Sequence, residues 1–432
     1  MRIVVAGAGI AGLAAATWLR DRGHEVEVLE VAARPAGRAM TLRRPGADDI
    51  VDIGTQYYHS NYRRGRALLR RMGLDRQART IRGRTRFFDL LNPAETCTTG
   101  HRVPYIGLGS PWANAKLLGV GAWRLLRNPI DLYGLGDYDR IDALATNDCV
   151  SDPFEWYFNA RTMISAGALV EPHAYDVSYL HLIRLMWIIV MTDYLTLDRG
   201  IASLHEALAA ALPVRYGTPA VALSTNGTRV AGVALADGTA IEADHVVLAV
   251  PAGAAAAMLP APWTRERAFL EGVFQPAMQV VTLFLEGTLE RGVWSYVLKP
   301  HPGQLVSFCV DAAEKNAAMV PSGRAILQAW ICHPAAETTA ATTDDELIAA
   351  VIGELEPLAP GLSGRVEGGH VRRIAHAVPQ MPPGHNAAAR RFLAAIDRRQ
   401  GLSVCGDFYT GGYMESALWS AQRAVQRIAA AD

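Results

Sequence analysis

A chain of 432 residues is long enough for two domains with sizeable cores. Its 42 basic and 42 acidic side chains balance, which removes the electrostatic reason to expect nucleic acid or an anionic membrane as a partner. The five cysteines, Cys97, Cys149, Cys309, Cys332 and Cys405, form no Cys-x-x-Cys pair, so reduced thiols in a cytoplasm-like compartment, and no metal site, are expected.

The chain opens on Ile3 to Ala6, an apolar run that reads as a buried parallel strand. Gly7, Gly9 and Gly12 complete G-x-G-x-x-G, Leu13 to Arg22 has helical character, and Gly23 ends it. The run is as apolar as the core of a signal peptide, but its glycines are spaced for a tight turn leading into an amphipathic helix. Val26 to Leu29 is a second strand that finishes at Glu30. A βαβ unit with an acid roughly twenty residues beyond the glycines predicts dinucleotide binding. Gly7 permits the turn, Gly9 lets backbone N–H groups approach a pyrophosphate, and Gly12 lets helix and strand pack closely. Ala11 lies in the same junction, where the helix N-terminus supplies partial positive charge. Glu30 is suited to accept both hydroxyls of an adenosine ribose.

Arg34, Gly37 and Arg38 follow in a second, basic turn, and then VDIGTQYYHSNY carries Asp52, Gly54, Gln56, Tyr57 and His59. The arginine-rich stretch from Arg63 to Arg86 has Leu68, Leu69 and Met72 at helical spacing, so it predicts an amphipathic helix with a solvated face rather than a nucleic-acid surface. From about 86 to 199 the βα rhythm is lost and aromatics dominate, among them Trp112, Trp123, Trp156, Tyr157, Phe158 and Trp187. An inserted helical segment that caps the cofactor and shapes a pocket is expected there. The apolar run Leu185 to Met191 is too short for a membrane span and reads as a core helix or pocket wall.

At Gly200 the rhythm returns. Ile201 to Leu212 reads as a helix, Val214 to Leu223 as a strand with a turn, Val230 to Ile241 as a hairpin turning at Asp237-Gly238, and Asp244 to Val250 as a buried strand. Gln279 to Leu285 and Ala325 to Ile331 read as sheet strands. The chain closes with HAVPQMPPGH at 376–385, Cys405-Gly406-Asp407, and GYMESA at 412–417 before a last helix.

Taken together, the basic turn, the Asp52-x-Gly54 segment and the closing runs resemble the flavin-containing amine oxidase superfamily, which includes monoamine and polyamine oxidases, protoporphyrinogen oxidase and carotene desaturases. Ala377 to His385 is similar to protoporphyrinogen oxidase, and GYMESA is similar to the GYMEGA run of monoamine oxidases. The resemblance implies an α/β fold, with a Rossmann-like FAD-binding domain (1–85, 200–255 and 371–432) and an interleaved α+β substrate-binding domain (86–199 and 256–370). It implies non-covalent FAD held by Gly7, Gly9, Ala11, Gly12, Glu30, Arg34, Gly37, Arg38, Gly54, Val221, Gly406, Asp407, Met414 and Ala417. Val221 would meet adenine through its main chain, and the Met414 N–H would meet the flavin N1–C2=O edge.

The same alignment shows departures. Ala36 replaces the first Gly of the usual Gly-Gly-Arg turn, and Ser416 replaces a Gly. No lysine occurs at Gln279 to Thr282, where amine oxidases hold a water against flavin N5, and Lys299 is too far along. Tyr413 matches one wall of the amine-binding aromatic cage, while Ala377 stands at the other. His376 takes the place of the cysteine that links flavin in monoamine oxidases. The expected activity is therefore dehydrogenation of a hydrophobic or aromatic small molecule by hydride transfer to flavin N5, with dioxygen as expected acceptor. Tyr413, His59, Gln56 and Tyr57 are the expected substrate-side residues. An amine or L-amino-acid oxidase, for which Arg161 or Arg184 would bind a carboxylate, and a non-redox use of FAD remain as alternatives.

Overall fold

The computed structural model describes residues 1–430 apart from 36, 45, 95, 100–118, 120–122, 124–125, 127–129, 150–168, 171–174 and 191. Ala36, Trp112, Trp156, Tyr157, Phe158, Arg161 and Met191 lie outside the described residues.

Five parallel strands form the first sheet, in the order Val214–Arg215, Glu25–Leu29, Arg2–Ala6, His245–Leu248, Leu402–Val404. Ile3, Val4, Val5, Val246 and Val247 are fully buried, as a parallel sheet covered on both faces requires. The crossover helix Ile10–Arg20 starts three residues before the expected Leu13, because Gly9 itself is the extended residue at its N-terminus. It packs against the last helix, Met414–Ala429, in one core cluster that holds Ala14, Ala15 and Ala16 with Leu418, Ala421 and Val425. Helix Ala202–Ala210 and the hairpin of Ala220–Asn226, Arg229–Leu235 and Ala240–Glu242 follow the predicted pattern, with Asp237 accepting from Thr239 in the turn.

A second, seven-stranded sheet runs Val366–Ile374, Met278–Glu286, Arg324–Ile331, Val306–Asp311, Val293–Leu298, Arg84–Phe88, Cys97–Thr99. Two expectations are corrected here. The arginine-rich stretch is α-helical only over Arg63–Arg71, with a 3-10 turn at Asp75–Gln77, and its downstream arginines Arg79, Arg84 and Arg86 lie on strands. The 86–199 segment is not purely helical: Arg84–Phe88 and Cys97–Thr99 extend the sheet, and Tyr194–Leu197 pairs with Tyr58–His59 and Ala78–Thr80. These strands are two to five residues long, too short to show a period in sequence. The apolar run forms part of helix Tyr179–Val190, with Leu182, Ile183, Leu185 and Ile188 fully buried, so it is a core helix.

One face of the seven-stranded sheet, with Val281, Leu283, Leu327 and Ala329, packs against helix Asp344–Leu355. The other turns toward the loops that follow Glu30: Phe284 and Ile326 pack with Val51 and Ile53, and Gln328 donates to Asp52 O at 2.8 Å. Among the described residues no helix is long and apolar enough to cross a membrane, and no cluster could hold a metal ion.

Candidate functional site

Between the first strand and helix, the chain makes a cradle. Gly7 has φ of +106°, donates to Leu29 O at 2.7 Å, and would drive a Cβ to 2.5 Å from Ala249 O. A Cβ on Gly12 would collide with Gly7 O, so both positions require glycine. Gly9 differs: no atom lies within 4 Å of where its Cβ would stand. The helix it starts has no side-chain cap and no acid in its first turn, which contains Ala11. Its start therefore has no side chain to satisfy its first N–H groups and has room beside Gly9, an arrangement suited to an anion. Gly37 approaches from the second turn, its Cβ direction 3.9 Å from Gly9 Cα. Glu30 braces the cradle by accepting from Ala8 N at 2.7 Å and Ala32 N at 2.9 Å. Its backbone O accepts from Thr218 N at 2.9 Å, which brings the segment leading to Val221 alongside. Val221 falls at an irregularity between paired Ala220 and Ala222 and is 45 % exposed, so it is not strand core.

The second turn is tied down from three sides. Arg38 donates to Ala377 O at 2.6 Å and to Asp407 Oδ1 at 2.8 Å, so one expected cofactor residue is held by another. Gly406 N donates to Ser420 Oγ at 2.9 Å. Gly54 fits under Arg38, whose carbonyl a Cβ would strike. Arg372, on the edge strand of the second sheet, donates to Ile53 O and Gly37 O, both at 2.8 Å. Burial, and the exposed Arg34 beside it, push the Arg372 pKa down to about 10.

Around Tyr413 the chain gathers rings. Tyr413 directly precedes the last helix, which it leaves without a side-chain cap. Its ring centroid lies 6.5 Å from His59, 6.2 Å from Tyr133 and 6.3 Å from His181. Tyr57 stacks on Tyr194 at 4.5 Å and meets His59 edge-on at 5.3 Å and Trp294 at 5.9 Å. His59 Nδ1 is 2.8 Å from Thr192 Oγ1, which donates its proton to Ile188 O at 2.6 Å. The imidazole must then donate from Nδ1, leaving Nε2 as an acceptor. Burial pushes the His59 pKa down to about 3 and the Tyr57 pKa up to about 12, so both are neutral near pH 7.

Gln56 departs from the expectation that it lines the rim. Its Nε2 donates to Asp52 O at 2.6 Å and Gly54 O at 3.0 Å, and its Oε1 accepts from Lys315 Nζ at 2.9 Å. The amide is engaged inside its own loop. Lys315 also pairs with Asp52 Oδ2 at 2.9 Å, and neither side chain has any exposure. A cavity of about 370 Å³, lined in part by Val297, Ser307, Cys332 and His333, includes none of the predicted site residues.

Buried neutral histidines make stability depend on pH. Burial lowers His59, His181 and His245 to about 3, and His205 and His385 to about 4. Their unfolded values are higher, near about 6.5, so below that pH the unfolded chain binds more protons. Stability is expected to be full above this range and to fall progressively as pH drops from 6.5 toward 4. Thermal midpoints measured at pH 7, 6, 5 and 4.5 check this; a flat profile would contradict it.

Residues 141–429 match the family described as flavin containing amine oxidoreductase, and residues 5–72 match the NAD(P)-binding Rossmann-like domain. The chain belongs to the flavin-containing amine oxidoreductase family. It is a flavin-dependent oxidoreductase with a Rossmann-like domain. Cyclohexylamine oxidase from Brevibacterium oxydans superposes with a TM-score of 0.74 at 18% identity, covering 100% of this chain and 99% of that one. A CLA-producing fatty acid isomerase from P. acnes gives a TM-score of 0.74 at 17% identity, covering 99% of this chain and 98% of that one. In sequence, an L-amino-acid oxidase from Mus musculus is 40% identical over 74 residues, which is 17% of this chain and only 12% of that protein's length.

Within this flavin oxidoreductase, the strand Met278–Glu286 carries no lysine. Lys299 pairs with Asp89 at 2.7 Å, and the buried lysine comes instead from the short helix Ala312–Lys315. Residue reasoning also missed Glu415, whose carboxylate accepts from Arg64 N at 2.8 Å and Gly65 N at 3.0 Å and so caps helix Arg63–Arg71. An acid within GYMESA was visible, but its partner 350 residues away was not. His376, at the expected linking position, is exposed.

Proposed function

We propose that the chain binds FAD non-covalently and dehydrogenates, by desaturation or aromatisation, a hydrophobic or aromatic small molecule. The observation that carries this is the ring cluster of Tyr413, His59, Tyr57, Tyr194 and Trp294. His59 and Tyr57 are held neutral by burial, as is Tyr413, whose pKa burial raises well above its usual value. Such surroundings suit an apolar or aromatic body.

The cradle of Gly7, Gly9, Ala11 and Gly12 fits the pyrophosphate, with Glu30 and Val221 at the adenosine and Arg34, Gly37 and Arg38 at the second turn. Gly54, Gly406, Asp407, Met414 and Ala417 would hold the flavin end. There the uncapped start of helix Met414–Ala429 favours negative charge. Bound FAD supplies the hydride acceptor, and dioxygen is the proposed final acceptor. Tyr413 orients the substrate by stacking, and His59 Nε2, held unprotonated, offers it a neutral hydrogen-bond acceptor. The FAD-binding part comprises 1–85, 200–255 and 371–432 and the substrate part 86–199 and 256–370, with strands Arg84–Phe88 and Val366–Ile374 crossing two of those boundaries. An anaerobic substrate screen tests the reading: loss of the oxidised flavin's visible absorbance on adding an aromatic substrate is expected. No bleaching with any ligand would favour a non-redox use of FAD.

An amine or L-amino-acid oxidase is the second reading. The local match to L-amino-acid oxidases and the buried Arg184 favour it; Ala377, which offers no second aromatic wall, counts against simple amines.

Acid denaturation is expected to release FAD into the supernatant, and flavin retained by washed, denatured protein would contradict non-covalent binding. Glu30→Ala is expected to weaken FAD binding by about 1.5–3 kcal/mol, the range for a lost hydrogen bond to a charged group. Titration of apoprotein with FAD measures it, and turnover of fully loaded enzyme should change little.

A further inference from the structure

Four polar atoms around Tyr413 are buried without a hydrogen-bond partner among the described residues: Nδ1 and Nε2 of His181, Nε of Arg184 and the Tyr413 hydroxyl. None takes part in the cradle or in the Asp52–Lys315 lock. Helix Tyr179–Val190 places His181 and Arg184 three residues apart, on one face. Gly411 lies between His181 and Tyr413: a Cβ there would come within 2.7 Å of Tyr413 Cε2 and 2.9 Å of His181 Cε1. The absence of a side chain at 411 lets both rings close on the same turn.

Arg184 is 2% exposed and donates from one Nη to Gly134 O at 2.7 Å. Among the described residues it makes no ion pair. The carboxylates that act on it, Asp142 and Asp131, have their own partners: Asp142 accepts from Ser178 Oγ at 3.1 Å and Ala387 N at 3.3 Å, and Asp131 from Tyr133 N at 3.1 Å. A buried guanidinium without an anion, beside a histidine with neither nitrogen bonded, is a costly arrangement unless a ligand completes it.

We propose that His181, Arg184 and Tyr413 form a subsite for the carboxylate of an aromatic carboxylic acid, which would define the substrate class. Donors outnumber acceptors there: a guanidinium N–H, a phenol O–H and one imidazole N–H. A carboxylate has lone pairs for all three and the negative charge that the guanidinium lacks. Tyr413, Tyr133 and His59 supply the aromatic surroundings for the rest of the molecule. The inference rests on the reading of an aromatic substrate given above.

FAD-loaded protein titrated with benzoate, benzamide and benzylamine, followed by the flavin absorbance, tests it. Benzoate is expected to perturb the spectrum and to bind at least about tenfold more tightly than neutral benzamide, the factor for roughly one charge-assisted hydrogen bond, with benzylamine weakest. His181→Phe and Arg184→Met should each weaken benzoate by a similar factor while leaving FAD content unchanged. Equal affinity for all three probes, no response to benzoate, or wild-type benzoate affinity in a folded His181→Phe variant would overturn the subsite. If neither variant folds, the wild-type ranking of the three probes decides alone. Selective benzoate binding with no substrate able to bleach the flavin would keep the subsite and remove the dehydrogenase reading. Bleaching by some substrate without selective benzoate binding would do the reverse.

Discussion

Exchanging Lys315 for methionine is expected to destabilise the protein by about 3–5 kcal/mol, the range for removing one partner of a buried ion pair. Lys315 and Asp52 have no exposure and pair at 2.9 Å. Without the ammonium, the Asp52 carboxylate keeps Thr41 Oγ1 at 2.7 Å and Ile201 N at 2.8 Å, but loses its counter-charge. Gln56 loses its donor at the same time. Chemical denaturation of the variant measures the effect. The double change Asp52→Asn with Lys315→Met should recover part of the loss, since it leaves no unpaired charge. Wild-type stability in the single variant would mean that water or a neighbouring group replaces the lysine.

Tyr413→Ala is expected to slow reduction of the flavin by substrate by up to about 10²-fold, the scale for misplacing reacting groups. Affinity for FAD and the bound spectrum should stay nearly intact, because the side chain makes no hydrogen bond that holds the cradle. Rapid mixing under anaerobic conditions separates the reductive step from reoxidation. A wild-type reduction rate at both low and saturating substrate would remove Tyr413 from the active site.

The parts of the site that sequence made legible are those whose geometry is local. Gly12 owes its identity to the Gly7 carbonyl within the same βαβ turn, and the spacing of the glycines made that turn legible, although the Ala249 carbonyl that also demands glycine at position 7 lies far along the chain. Tyr413 was readable because it adjoins a helix start. Lys315, Arg372, His181 and Glu415 were not. Each meets partners more than two hundred residues away, and nothing in a residue's neighbours along the chain records such a meeting. Lys315 illustrates this: its four-residue helix carries no sign in sequence of the Asp52 carboxylate it meets. The short strands Arg84–Phe88 and Cys97–Thr99 were missed for a different reason, since a run of three to five residues cannot display a period. Gln56 was expected on the substrate side, but its amide is engaged by its own loop and by Lys315, a residue that the loop does not contain.

Arg372 sits on the edge strand of the second sheet, yet its two bonds end on the backbones of Gly37 and Ile53. Side chains alternate across a strand, so a one-residue slip of Val366–Ile374 against Met278–Glu286 would carry this arginine to the opposite face. The clamp therefore acts as a register pin as well as a tether. It also makes ordering of the nucleotide loop and ordering of the substrate-side sheet a single thermodynamic event. Whatever free energy FAD gains by settling the Gly37 turn is shared with that edge strand, and by reciprocity a ligand that stiffens the sheet tightens the hold on the cofactor.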